Sequence, residues 1–494
     1  YQVRFARELL RRAPHSDRAR LLQAARVLVD ERHAQEEARL DARFKELGVD
    51  WANGVAQGTP RAAVSVTPPS AKDFKAGETV QWTVSVENKG DAPFRRLRAY
   101  TTVEKDPLLD RREFVFGTVK PGERRSWSVP VKIPKGMDTR RDEVTLHFED
   151  EAGKAPPDVS TSFGIVEIPK PVFAFSVQLD DKAGGNGDGL AQRGETFTFR
   201  VDVKNEGQGT SGEKTYVSLK NLGDEKLFIK KGREVLGALK PGESKSAALE
   251  VELRRGSKLE TVPIRLMIVD EKMDEYVAEK LEWPVAKDEP ALQPAKGAVQ
   301  VASAEVVLRA GASPGAAPIA TAKKGAVLPV DAKAGEFWRV EWTKGRFAFA
   351  PEADVKHAKA GLRSGQIAAA WQREPPRIAL LPDPLRGAPV VEGDHFRLQG
   401  SASIPPGVEP GTARLRDVFV YVNDQKVFFK VVPETANQSR MDFTTEVPLK
   451  PGNNVVTVFA REDVEFQTRR SLVVFRRPPP EVAADSATQK RAAQ

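Results

Sequence analysis

The segment GGNGDGLAQRGE, Gly184 to Glu195, places amide and carboxylate oxygens at the spacing a hard cation needs. With Gly184 as position one, Asn186, Asp188, Gly189 and Glu195 fall at positions 3, 5, 6 and 12 of the calcium-loop pattern D-x-[DN]-x-[DN]-G-x5-E. Position one is Gly rather than Asp, and Asp180 and Asp181 stand just upstream, so Asp181 is expected to supply the missing carboxylate from a longer loop. The candidate metal ligands are therefore Asp181, Asn186, Asp188 and Glu195, and the candidate cofactor is calcium. A Gly/Asn/Asp turn entering a strand accounts for the same residues. Glu195 belongs to a Gly-Glu-Thr that is shared with Glu78, and no acidic loop precedes Glu78.

A second group of residues able to bind something lies in FWRVEWTKGRFAF, Phe337 to Phe349. Trp338 and Trp342 alternate with Val340 onto one strand face, Phe337 falls on the other, and Phe347 and Phe349 lie across the hairpin. Rings left exposed would stack on a sugar or a peptide, which makes Trp338, Trp342 and Phe349 the candidate ligand-binding residues. Core packing is the ordinary role for any one of them.

No residues are positioned for catalysis, so no catalytic residue is assigned. Without cysteine there is no disulfide, thiol nucleophile or Cys-ligated zinc or iron-sulfur centre. The five histidines are scattered, and no two stand at a metal-ligand spacing. Ser364, in RSGQIAAAW, is the nearest imitation of a nucleophile turn and reads better as a flexible linker. The net charge of +8, from 77 basic and 69 acidic residues, is spread in mixed-sign patches rather than a phosphate-binding stripe, so nucleic acid is not an expected partner. No apolar run approaches the ~20 residues of a membrane span.

The elements that carry these residues follow from periodicity. Residues 1–55 read as helical: Val3, Phe5, Ala6, Leu9 and Leu10 form one stripe, Pro14 ends it, and Ser16 is placed to cap a second helix. That helix carries Leu21, Ala25, Leu28, Leu40, Phe44 and Leu47 as a buried stripe up to Gly48. Because Tyr1 already lies within an amphipathic pattern, the chain is expected to be the C-terminal part of a longer protein, with the first helix docking on what precedes it. Beyond Trp51, short alternating runs bounded by Gly, Pro, Asn and Asp predict antiparallel strands.

An internal repeat orders the strands. Gly77-Glu78-Thr79 recurs as Gly194-Glu195-Thr196, and Asn88 of VENKG as Asn205 of VKNEG, both 117 positions on; GTVKPGE ending at Glu123 recurs as GALKPGE ending at Glu243. The expected fold is mainly β and multidomain: a short N-terminal helical segment, three Ig-like β-sandwiches and one SH3-like barrel, as beads on a string. The sandwiches are expected at 61–169, 170–287 and 376–477, the barrel at 297–358, and a disordered tail at 478–494.

Two resemblances add to this reading. Arg309-Ala310-Gly311, Lys323-Lys324-Gly325, Phe337 to Val340 and Lys344-Gly345-Arg346 resemble the loops and hairpin of bacterial SH3-like domains, some of which bind cell-wall peptidoglycan; Phe349 stands where a Trp is usual. RDVFVYVNDQKVFFK, MDFTTEVPLKPGNNVVTVFARE and the LGVDW phrase at Leu47 to Trp51 resemble the accessory region of large bacterial carboxyl-terminal processing (tail-specific) serine peptidases. That resemblance implies a PDZ domain and a Ser/Lys peptidase core upstream of Tyr1 as partners, protein substrates, and a periplasmic, cell-envelope or secreted location. The chain itself would be a non-catalytic accessory and binding region. A non-enzymatic adhesion or wall-binding scaffold, or a structural subunit of an envelope assembly, is the alternative.

Overall fold

The structure is a computed structural model; it describes residues 17–478 apart from 53, 55–56, 71, 104–106, 288–291, 360–365, 406–414, 434–437 and 464–465. The first helical stripe, Ser16, Ser364 and the tail from 479 onward lie outside the described residues. The chain divides into two compact units, one of residues 1–72, 79–131 and 143–163, the other of 73–78, 132–142 and 164–494. Among the described residues the architecture is mainly β, built from largely antiparallel sheets, with one long helix.

In the first unit the helix Arg18–Glu46 stands out from the sandwich. Of its expected buried stripe, the side chains of Leu21 and Ala25 lie outside the described residues, Phe44 is half-buried, and Leu28, Leu40 and Leu47 are exposed, Leu28 by 66%; Leu22, Val27 and Val29 are exposed as well. Among the described residues no second helix packs on it, and side-chain pairs such as Arg43 with Glu46 at 2.7 Å contribute only a few tenths of a kcal/mol each. The helix is held at its C-terminus. Gly48 takes φ +65°, the Val49 amide donates back to the Phe44 carbonyl at 2.8 Å, and the Phe44 and Trp51 rings stack at 5.0 Å. The Asp50 carbonyl then accepts the Thr118 amide at 2.7 Å, which ties the phrase Leu47 to Trp51 to the sandwich.

One sheet of that sandwich has the order Ala62–Thr67, Thr79–Asn88, Arg124–Lys132, and in the other Phe94–Val103 pairs with Glu113–Val119 and with residues 144–149 of Arg140–Glu149. Alternation decides the faces. Trp82, Val84 and Val86 point inward, and Trp82 meets Phe114 and Phe163 edge-on at 5.5 and 5.9 Å.

In the second unit the second sandwich faces two four-stranded sheets across one apolar core. Their orders are Leu227–Lys231, Ser244–Leu253, Glu195–Asn205, Phe173–Asp180, and Arg233–Val235, Tyr216–Asn221, Thr261–Asp270, Glu275–Pro284. An eight-stranded antiparallel sheet carries Phe337–Thr343 and Arg346–Pro351 as its central hairpin, and two further sheets around Asp417–Val422 and His395–Ser403 form the last sandwich.

The repeat has a physical basis. Asn88 is fully buried; its Nδ2 donates to the Ala92 and Val119 carbonyls and its Oδ1 accepts the Gly90 amide. Asn205 does the same with Gly209, Leu239 and Gly207. In each copy the turn amide ahead of the Pro-Gly is capped by the following Glu: Lys120 by Glu123 and Lys240 by Glu243, both at 2.9 Å. A buried amide that satisfies several backbone groups at a strand corner tolerates no other side chain, which is why Asn and its Gly reappear together.

Neighbouring beads within the second unit are fastened by side chains. Part of the stretch read as a linker is strand: Ile367–Ala369 pairs with Pro318–Lys323, and Phe175 and Arg373 exchange backbone hydrogen bonds at 2.9 and 3.0 Å. Its small alanines let it lie flat against the sheet, with Ala370 buried.

Candidate functional site

Strand Phe173–Asp180 delivers two consecutive acids to the start of the glycine-rich loop. Asp180 turns outward onto Arg200 at 3.0 Å. Asp181 turns inward, and its two oxygens accept the Gly187 and Gly189 amides at 2.7 and 2.9 Å. Gly187 and Gly189 take φ of +83° and +74°, left-handed backbone that glycine adopts without strain and that aims both amides at one carboxylate. Of the two upstream acids, Asp181 is thus the one the loop wraps.

Asp188 and Glu195 complete the group. The Asp188 carboxylate accepts the Leu190 amide and the side-chain amides of Asn186 and Gln192, all at 2.9 Å. Glu195 Oε1 accepts the Asn186 backbone amide at 3.1 Å, while Oε2 is buried and has no partner. Gly185 fits between: a Cβ there would lie 2.7 Å from the Glu195 carboxyl carbon and 3.0 Å from Asp181 Cβ. Asp181, Asp188 and Glu195 are only 2%, 1% and 9% exposed, and among the described residues no Lys or Arg forms an ion pair with any of them. Burial, reinforced by the neighbouring acids Asp181 and Asp188, pushes Glu195 up to about 7; burial likewise raises Asp181, opposed by its backbone hydrogen bonds. As they stand, no three His, Cys, Asp or Glu side chains among the described residues are arranged to hold a metal ion.

The other candidates lie on the sheet against which this loop packs. Phe349 is 2% exposed and forms a small core with Ala334 and Phe337, onto which Leu292 and Ala312 pack. Trp342 is buried in the main core of the sheet beside Val340. Neither ring has a face open to a ligand, so both build the fold. The alternation correctly separates Phe337 from Trp342; sequence cannot show that the Phe337 side is covered too, by the loop of the preceding sandwich. Trp338 keeps a partly exposed ring, edge-on to His357 at 5.3 Å with Lys333 Nζ 5.0 Å from its centroid.

Two residues to which the sequence assigns no role of their own hold the junctions. Arg339, buried, forks onto Asp331 at 2.8 and 3.0 Å and donates its remaining Nη1 to the Gly187 carbonyl at 2.7 Å. The Ala312 amide reaches the Asp188 carbonyl at 3.4 Å, and Gly189 lies so close that a Cβ would fall 2.5 Å from the Ala310 carbonyl. The seam leaves a cavity of about 30 Å³, room for a single water. Alternation puts Arg339 on the same face as Phe337, and a cation on an apolar face requires a partner; that was the available signal.

Arg373 is the second such residue. It meets Glu279 at 2.6 Å, Glu462 at 2.5 Å and Asp463 at 2.6 Å, and its guanidinium lies 4.9 Å from the Phe466 ring. Phe466, from the last sandwich, is inserted into the core of the second and meets Phe175 edge-on at 6.1 Å. Burial pushes Glu462 up to about 7 against the pull of Arg373, with Asp463 and Glu279 adding to the rise. Its partners lie about 90 positions away, so no local pattern marks Arg373.

No family model matches the chain. No curated protein matches it either. Among solved structures, the fibronectin(III)-like modules of Clostridium thermocellum CbhA match 45% of this chain and 94% of their own at 12% identity, with a TM-score of 0.16. Drosophila OTK extracellular domains 3-5 match 86% of this chain and 99% of their own at 8% identity, with a TM-score of 0.17. Likeness at that level carries no functional argument. Among the described residues no helix is long and apolar enough to cross a membrane.

Proposed function

We propose that this chain is the non-catalytic accessory and binding region of a cell-envelope serine peptidase of the carboxyl-terminal processing kind, serving to capture or position protein substrates or to hold the enzyme at the wall. The observation that carries the reading is the joint at Leu47 to Trp51. The phrase on which the resemblance rests is a structural device, in which Phe44 stacks on Trp51, Val49 is buried and Arg125 donates to the Gly48 carbonyl at 2.8 Å. It presents a 29-residue helix whose apolar residues Leu22, Val27, Leu28 and Leu40 lie exposed. Apolar side chains exposed along a helix are what a docking partner covers, and the partner this reading names is the peptidase core with its PDZ domain.

A second reading is favoured by the junctions at Arg339 and Arg373. They make the beads of the second unit a fastened array, as suits a periplasmic or secreted adhesion or peptidoglycan-binding scaffold. The coding sequence immediately before Tyr1 separates the two: a Ser/Lys core with a PDZ domain supports the peptidase reading, and a further β module overturns it in favour of the scaffold.

A further inference from the structure

Three buried carboxylates share the loop from Asp181 to Glu195, and none has a cationic partner among the described residues. Buried charges in proteins are paired or coordinate metals, because desolvating an ionised carboxylate with neither is costly. Backbone and side-chain amides meet part of the need at Asp181 and Asp188. Glu195, nine-tenths buried, is the exception: its Oε2 lies out of solvent with no donor, and its carboxyl carbon and Oε1 flank Gly185, with Asp181 on that glycine's other side. Each carboxylate oxygen has two lone pairs, so Asp181 can keep both glycine amides and still offer a lone pair inward.

We propose that the loop takes one divalent cation, calcium by its all-oxygen donors, held by Asp181, Asp188 and Glu195 with the Asn186 side-chain oxygen, and that this ion fastens the second sandwich to the eight-stranded sheet. The second half follows from where the loop's outer atoms go. The Gly187 carbonyl receives Arg339 and the Asp188 carbonyl receives the Ala312 amide, so the residues that would grip the ion on one side grip the neighbouring bead on the other. On binding, the Asn186 and Gln192 amide donors give way at Asp188 to the cation, which brings the three carboxylates closer than they now stand. A loop of this kind accommodates the six to eight oxygens of calcium better than the near-ideal octahedron magnesium demands. The inference is independent of the peptidase reading.

The test uses the whole 494-residue chain, stripped with a chelator and titrated with calcium chloride or magnesium chloride by calorimetry. One calcium should bind, at least about tenfold tighter than magnesium. At 100 times Kd, exchange of the Leu190 and Ala312 amides should slow by roughly a hundredfold if release of the loop is what exposes them. Glu195→Gln removes the unpartnered charge, so that variant should melt no lower than the unaltered chain in chelator, yet lose both the calcium heat and the calcium-dependent protection; Asp181→Asn should lose them too. Absence of a calcium response in the unaltered chain, or its survival in Glu195→Gln, overturns the site; equal magnesium affinity overturns the assignment to calcium; binding without protection at Ala312 overturns the fastening.

Discussion

Replacing Arg373 with methionine should uncouple the second sandwich from the last one, and the loss should depend on pH. In the native chain one guanidinium lies within 2.7 Å of three carboxylates, two of them on the well-buried Glu279 and Glu462. Methionine keeps an apolar stem but removes the guanidinium from the Phe466 ring and leaves three acids facing one another. Removing one partner of a buried ion pair costs about 3–5 kcal/mol, because the remaining charge is stranded. The sign with pH follows from linkage. Glu462 rises from 4.5 to about 7 in the folded chain, so between those values the folded state binds more protons than the unfolded one, and stability falls as pH rises. For Glu462 alone that ceiling is about 3 kcal/mol at 1.36 kcal/mol per unit. Without Arg373 the carboxyls of Glu279 and Glu462 rise further, so the variant's deficit should be largest near pH 8 and shrink toward pH 5.5, where protonation removes the repulsion. Urea unfolding at both pH values measures it, with hydrogen exchange at Phe175 and Phe466 as the local readout. Adding Glu279→Gln and Glu462→Gln to the variant should recover most of the loss. A deficit below about 1 kcal/mol, or one equal at pH 8 and 5.5, would refute the reasoning.

Three further substitutions check the structural readings. Asn205→Ala strands the Gly209 and Leu239 carbonyls and the Gly207 amide, and should destabilise the second sandwich by about 2–4 kcal/mol in denaturant unfolding; an effect under about 1 kcal/mol would mean the corner is not pinned by that side chain. Phe349→Ala should cost about 3–5 kcal/mol and loosen the Asp181 to Glu195 loop by hydrogen exchange, whereas Trp338→Ala, at a half-exposed position, should cost less than half as much; the reverse order would return Phe349 to the ligand-binding candidates.

Strand periodicity was the most legible signal, because a residue's face in a sheet depends only on its parity: Trp82, Val84 and Val86 point inward as their alternation requires. The repeat was legible for a related reason. Asn88 and Asn205 carry their function locally, bonding within four residues and to the adjoining turn. What sequence could not convey was which apolar surfaces find a partner. Leu28 and Leu40 have the spacing of a buried stripe and lie exposed, whereas Phe349, placed on a hairpin that looked available, is covered by a loop that begins more than 150 positions earlier. In the metal-loop candidate, the spacing points to Asn186, Asp188 and Glu195; only the structure shows that Asp180 turns onto Arg200 while Asp181 turns into the loop, and that Glu195 is left with an orphaned oxygen. Arg373 illustrates the remaining gap: an arginine among polar and aromatic neighbours carries no mark of the acids, about 90 positions away, that it will meet.

The proposal that this chain serves a peptidase without containing its chemistry is tested most directly by hydrolysis of an unfolded protein substrate, measured for the purified chain Tyr1 to Gln494 and for the full product of its gene. The account predicts background rates for the chain alone and hydrolysis by the whole product that disappears when its upstream Ser or Lys is replaced. Hydrolysis by the chain alone, or none by the whole product, would contradict it.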